Sequence, residues 1–141
     1  MEYVIGVVLS LAITASATAL GFDRERVFYP AVMIAIASYY ILFAAMSASA
    51  SVVMVESVAA GAFLVFAMIG FKTRLWLVVV ALASHSVFDF FHHLIIDNPG
   101  VPRWWPGFCL AFDIVAAGYL AVLLMKRPSL ARPGSLKSGA Y

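Results

Sequence analysis

Charge is scarce in this chain: Asp, Glu, Lys and Arg make up 11% of its 141 residues, against 65% hydrophobic residues and a mean hydropathy of +1.02. Soluble domains are about half apolar and about a quarter charged, so a water-soluble globule of this composition would lack the polar residues to cover its surface. Lipid is the solvent that fits. Cysteine is scarcer still, and the single Cys109 excludes an internal disulfide and leaves redox compartment unread. The basic residues are few and dispersed along a chain of net charge +2, which excludes nucleic acid as a partner. Also missing are a Gly-rich phosphate loop, a Ser nucleophile motif and a paired CxxC. No Lys or Arg precedes the first apolar run, which opens Met1-Glu2-Tyr3 and outlasts the ~7 to 15 residues of a signal-peptide core. It is expected to stay as a first span.

What is present is length in hydrophobic runs. Crossing the hydrocarbon core takes about 20 mostly apolar residues, and five stretches qualify: 3–21, 29–47, 52–71, 75–96 and 108–125. The expected fold is an all-α membrane protein, one transmembrane domain over 1–127 built as a bundle of about five helices, followed by a flexible tail at 128–141 rich in Pro, Gly, Ser and Lys. The weakest boundary is the Ala-Ser-Ala-Ser connection at 48–51, where one long broken helix would give four passes. Basic residues favour five. Five spans leave Arg103 alone on one side and put Arg24, Arg26, Lys72, Arg74, Lys126, Arg127, Arg132 and Lys137 on the other. Lys and Arg are retained in the cytoplasm, so the N-terminus is expected outside and the tail inside, with a bacterial inner (plasma) membrane as the location.

Gly6, Ser10, Thr14 and Thr18 recur every fourth residue and lay small side chains along one face of the first span; Ser57 with Gly61 and Ala117 with Ala121 repeat the pattern. Such stripes let backbones approach closely in lipid. Packing within one bundle is the plain expectation, and a homodimer face or contact with a larger membrane complex the alternative. Trp76, Trp104, Trp105, Tyr3 and Tyr29 fall at span ends, where amphipathic rings anchor helices among headgroups. Tyr39 and Tyr40 read as packing or interface residues, and Cys109 as a small packed hydrophobe.

The informative stretch is Ser84-His85-Ser86-Val87-Phe88-Asp89-Phe90-Phe91-His92-His93 in the outer half of the fourth span. With His85 at zero, Asp89 falls at about 40°, His92 at about −20° and His93 at about 80° around the helix. The three Phe lie largely outside that arc. Ionisable groups on one face of a membrane helix point to protein interior or a watery cavity. The third and fifth spans place Glu56 and Asp113 at similar depth, with Cys109 one turn above Asp113. Three helices thus bring Glu56, Asp89, His92, His93 and Asp113 into one slab of the membrane.

Carboxylates and imidazoles meeting in a low-dielectric site need a cation or mutual pairing to compensate them. A divalent metal answers that need, taking Asp89 with His92 or His93 and completed by Glu56 and Asp113. His85 and His93 stand about 12 Å apart along the axis, too far to share one ion, so His85 would steady Asp89 from below or serve a second ion that Asp89 bridges. Mixed N and O ligands suit zinc, iron or manganese better than calcium. Asp and His pairs that merely hydrogen-bond helices together, and haem ligation by His85 or His92, are the competing readings.

The run His85-x3-Asp89-x2-His92-His93-Leu94, followed by Asn98-Pro99, Pro102, Pro106, Cys109 and Asp113, resembles a family of small bacterial integral membrane proteins of unknown function. The match covers residues 84–120, with Phe88 standing where that family carries Trp. The resemblance implies that these positions work as a unit and supplies no activity. Histidine boxes of membrane desaturases demand more than the three histidines present. The expected function is a small metal-dependent hydrolase of a lipid or amphiphile, with Asp89, His93, Asp113 and His85 on the metal and His92 and Glu56 as acid and base. A non-enzymatic subunit of a larger membrane complex, or a haem-binding protein, is the alternative.

Overall fold

The structure is a computed structural model and describes residues 1–47 and 49–131. Helix α1 spans Glu2–Leu20, α2 Phe28–Ser47, α3 Ala50–Lys72, α4 Trp76–Ile95, α5 Trp105–Lys126 and α6 Pro128–Ala131, with a 3-10 turn at Phe22–Arg24. The first five are long and apolar enough to cross a membrane. α1 stops at Gly21, whose left-handed backbone (φ 81°) returns its N–H to the carbonyl of Thr18, a conformation that glycine adopts without strain. α2 and α3 are separate helices packed side by side, and Ala50 and Ser51, expected in the connection, open α3. α5 begins at Trp105, three residues earlier than expected at 108. Pro106 lies in its first turn, where a missing N–H removes no intrahelical bond.

α4 and α5 pack together in the middle of the bundle. α1 lies on the outer side of α5, and the α2/α3 pair lies on α4. The small-residue stripe of α1 is the reason it sits so close: Gly6, Ser10 and Thr14 are buried, and a Cβ on Gly6 would run into the Phe108 carbonyl. The Ser10 hydroxyl adds a hydrogen bond to the Phe112 carbonyl at 2.9 Å. The stripe expected on the first span therefore serves packing within the bundle. On α3, by contrast, Ser57 is exposed and Gly61 faces open space. Large apolar side chains such as Val58, Phe66, Val87, Leu94 and Ile114 are exposed around the bundle, a surface suited to acyl chains and not to water.

The connections carrying Arg24, Arg26, Lys72, Arg74, Lys126 and Arg127 gather at one end. Arg26 ties them: its guanidinium donates to the carbonyls of Phe71 at 2.8 Å, Leu130 at 2.6 Å, Gly70 at 3.2 Å and Thr73 at 3.3 Å. It caps the C-terminus of α3, where carbonyls lack helical partners and the dipole favours a cation. Arg26→Ala is expected to lower unfolding free energy in detergent by about 1–3 kcal/mol, and Arg26→Lys to recover only part of it because an ammonium cannot fork between carbonyls. Equal stability of all three proteins would contradict this.

Beside this clasp, buried Asp23 accepts from Thr18 at 2.6 Å, and Thr18 in turn accepts from Tyr119 at 2.9 Å. Tyr29, expected among headgroups, is instead 2% exposed. Pro128–Ala131, assigned to the tail by sequence, forms a helical turn on α5. Residues 132–141, with Arg132 and Lys137, lie outside the described residues.

Candidate metal centre

α4 turns one stripe inward, and its buried residues include His85, Asp89 and His92, spaced by four and three as a helical face requires. α5 meets that stripe with Asp113, α3 with Glu56, and α2 with Tyr40. The side chains sort into two groups. In the inner one, His85 Nδ1 lies 2.7 Å from Asp113 Oδ2 and 3.2 Å from Asp89 Oδ2, all three side chains being 0–1% exposed. In the outer one, His92 Nε2 lies 2.8 Å from Glu56 Oε1, which also accepts from the Asn98 amide at 2.8 Å. Tyr40 joins the two: its hydroxyl donates to Asp89 Oδ1 at 2.6 Å and its ring stacks on His92.

The charge balance of the inner group is the decisive feature. With both carboxylates ionised, the group carries at least one net negative charge even if His85 is protonated. Among the described residues no Lys or Arg pairs with them. An uncompensated charge in such surroundings carries a desolvation penalty of several kcal/mol. Each carboxylate also keeps one oxygen, Asp89 Oδ2 and Asp113 Oδ1, that is buried and accepts no hydrogen bond, as does Glu56 Oε2 in the outer group. A cation between the carboxylates would offset that charge. One ligand atom each from His85, Asp89 and Asp113 lies within 4.8 Å of the other two, a spread that bonds of ~2.0–2.2 Å to a common ion can span with small adjustment. The group could hold a metal ion.

Asp89 and His92 also line a cavity of about 430 Å³ at the end of the bundle away from Arg26. Its wall continues through Glu2 and Tyr3 of α1, the 96–103 connection and the first turns of α5. Asn98 anchors that connection. Its Oδ1 accepts the N–H of Gly100 at 3.1 Å, which leaves its amide free to reach Glu56 and, at 3.3 Å, the carbonyl of Tyr40.

No protein-family profile, curated protein or solved structure matches the chain.

Of the six expected site residues, the structure brings His85, Asp89 and Asp113 to one point and pairs His92 with Glu56. His85, expected as a support or as ligand to a second ion, is a full member of the three. His93 does not join: it is exposed, because at about 80° it falls at the edge of the arc that neighbouring helices cover, and it lines the outer cavity instead. Cys109 is buried in the apolar core beside α2 and is outside the three. Tyr40 and Asn98 were missed as members. Buried Met33, Ile36, Ala37, Tyr40 and Ala44 trace one helical face of α2, which selects Tyr40 inward and leaves Tyr39 42% exposed against Trp105. In a run apolar all round, nothing marks that face beforehand. Asn98-Pro99 carries a turn signal, and the turn is what aims the amide inward.

Proposed function

We propose that this integral membrane protein holds one divalent transition-metal ion between His85, Asp89 and Asp113 and hydrolyses a lipid or other amphiphile. The observation that carries the reading is the buried group of two carboxylates and one imidazole, in which two oxygens accept no hydrogen bond and Asp89 lines a cavity. Mixed N and O donors suit zinc, iron or manganese. Such an ion would supply Lewis acidity toward a carbonyl and acidify bound water. His92 faces the same cavity and is the group placed to take a proton from water and return it to the leaving group. Glu56 holds its other partner position and stabilises the charged imidazole. Asn98 keeps the 96–103 connection over the cavity, and Trp104 seats it among headgroups. The basic end belongs in the cytoplasm by charge asymmetry, which puts the cavity on the opposite side.

A second reading has its own observation. The pairs His85–Asp113 at 2.7 Å and His92–Glu56 at 2.8 Å are complete hydrogen bonds that tie α4 to α5 and α3, as they would in a non-enzymatic subunit of a membrane complex. Haem fits less well: Tyr40, Phe63 and Phe88 lie against His85, and Tyr40 and Phe88 against His92, and a porphyrin would have to displace them.

Elemental analysis of protein purified in detergent without chelator tests the proposal, together with hydrolysis of amphiphilic esters and amides. About one ion per chain is expected. His92→Ala should keep the ion and lower turnover by about 10²- to 10⁴-fold, the contribution of a positioned acid or base. A folded, ion-free wild type would hand the case to the second reading, and unchanged turnover in His92→Ala would remove that residue's role.

A further inference from the structure

Tyr40 touches both groups of the centre, and it hydrogen-bonds Asp89 at a single oxygen. Its hydroxyl donates to Oδ1 at 2.6 Å, its ring lies on His92 with centroids 4.2 Å apart and 29° between planes, and its carbonyl accepts from Asn98. The ring is also set edge-on against Phe88 at 5.8 Å, and the residue is 1% exposed. A side chain held on so many sides has no freedom to withdraw its hydroxyl. With Oδ1 held toward the phenol, the oxygen that Asp89 turns to an ion is Oδ2, which is buried, accepts no hydrogen bond and lies 3.2 Å from His85 Nδ1.

The number of donors decides which ion such a group prefers. Zinc is satisfied by three protein ligands and one open position in tetrahedral geometry. Magnesium and manganese seek six positions, mostly oxygen, so a group offering few oxygen donors leaves more of their shell to water. With Oδ1 taken, the group supplies one imidazole nitrogen, one oxygen of Asp89 and the carboxylate of Asp113. Without the phenol hydroxyl, Oδ1 would be free to turn toward the ion and raise the donor count.

We propose that Tyr40 is a positioning residue that sets the ion preference of the centre: by occupying Asp89 Oδ1 it confines that carboxylate to one-oxygen ligation and favours four-coordinate zinc over six-coordinate manganese or magnesium. This rests on the metal reading above. Tyr40→Phe isolates the effect, since it keeps the ring on His92 and removes only the hydroxyl.

The test uses full-length protein purified in detergent, stripped with chelator, and titrated with Zn²⁺ alone and Mn²⁺ alone by calorimetry. Wild type is expected to prefer zinc. Tyr40→Phe should lose zinc affinity by about 10- to 100-fold, as when the outer partner of a ligand is removed, with manganese affinity unchanged or raised. Loading with Co²⁺ gives a second readout, because four-coordinate cobalt absorbs far more strongly in the visible than six-coordinate cobalt. The bands should be strong in wild type and weak in Tyr40→Phe. Equal loss for both metals, or unchanged affinities and spectrum, would overturn the assignment. Should Tyr40→Phe not fold, the wild-type cobalt spectrum still decides, and a weak six-coordinate spectrum refutes it. A wild type that binds none of the three ions overturns the metal reading itself, an outcome distinct from a metal site indifferent to Tyr40.

Discussion

Asp113→Asn is expected to weaken metal binding by more than about 100-fold, since removing even an outer partner of a ligand costs 10- to 100-fold and Asp113 is itself one of the three ligands. An amide oxygen carries no charge to set against a divalent ion. Asp89→Asn should do the same, while His93→Ala, which removes an exposed ring outside the group, should leave binding unchanged. The sign of the stability change separates the two readings of the centre. If the carboxylates serve only to pair helices, Asp113→Asn weakens the 2.7 Å contact with His85 and destabilises the protein with or without metal. If they are ligands, the ion-free wild type already carries an uncompensated buried charge, and Asp113→Asn relieves it. The ion-free variant is then at least as stable as ion-free wild type. The difference reverses when metal is added, because an ion at 100 times its Kd stabilises wild type by about 2.7 kcal/mol and the variant hardly at all. Thermal melts of both proteins in chelator and in excess zinc measure this crossing.

Gly6→Val should have the largest effect on the fold. A Cβ at Gly6 meets the Phe108 carbonyl, the Ala111 Cβ at 3.1 Å and the Phe112 N at 3.2 Å. Backbone cannot give way as a side-chain tip can, so α1 must move off α5 and release the Ser10 to Phe112 hydrogen bond. Overpacking costs about 1–3 kcal/mol in cores that can adjust, and the added loss of helix contact places Gly6→Val at the upper end or beyond. The same shift carries Glu2 and Tyr3 away from the cavity wall. Gly61→Val, at a position with nothing near its Cβ, is the control and should be close to neutral. Thermal aggregation in detergent reads both, and equal melting of the two would contradict the α1–α5 packing described above.

These two expectations also mark what a reader of the sequence can see. The spans were legible because lipid demands uniform apolar runs, and their ends were marked by Gly21, by Lys72 and Arg74, and by the prolines after Asp97. The Gly6–Ser10–Thr14 stripe was legible because polar and small residues repeat at helical spacing in an otherwise bulky helix. So was the meeting of Asp89 with Asp113, since ionisable residues in a membrane helix have few places to go, although His85 was read as a support beneath them. Finer assignment failed where it depended on how helices rotate. His92 and His93 are neighbours about 100° apart on the same helix, and only the positions of α2 and α3 bury one and expose the other. The expected ion set leaned on the outer half of α4, whereas the three-residue group is centred one to two turns deeper, at His85. Tyr40 was indistinguishable from Tyr39, because a helix apolar on every side declares no inward face.

X-ray absorption of the metal-loaded protein tests the central claim most directly. The account predicts one bound ion whose nearest shell holds a single imidazole nitrogen and light oxygen donors at about 2.0–2.2 Å. A shell with sulfur from Cys109, a shell with two or more imidazoles, or protein that takes up no ion would contradict it.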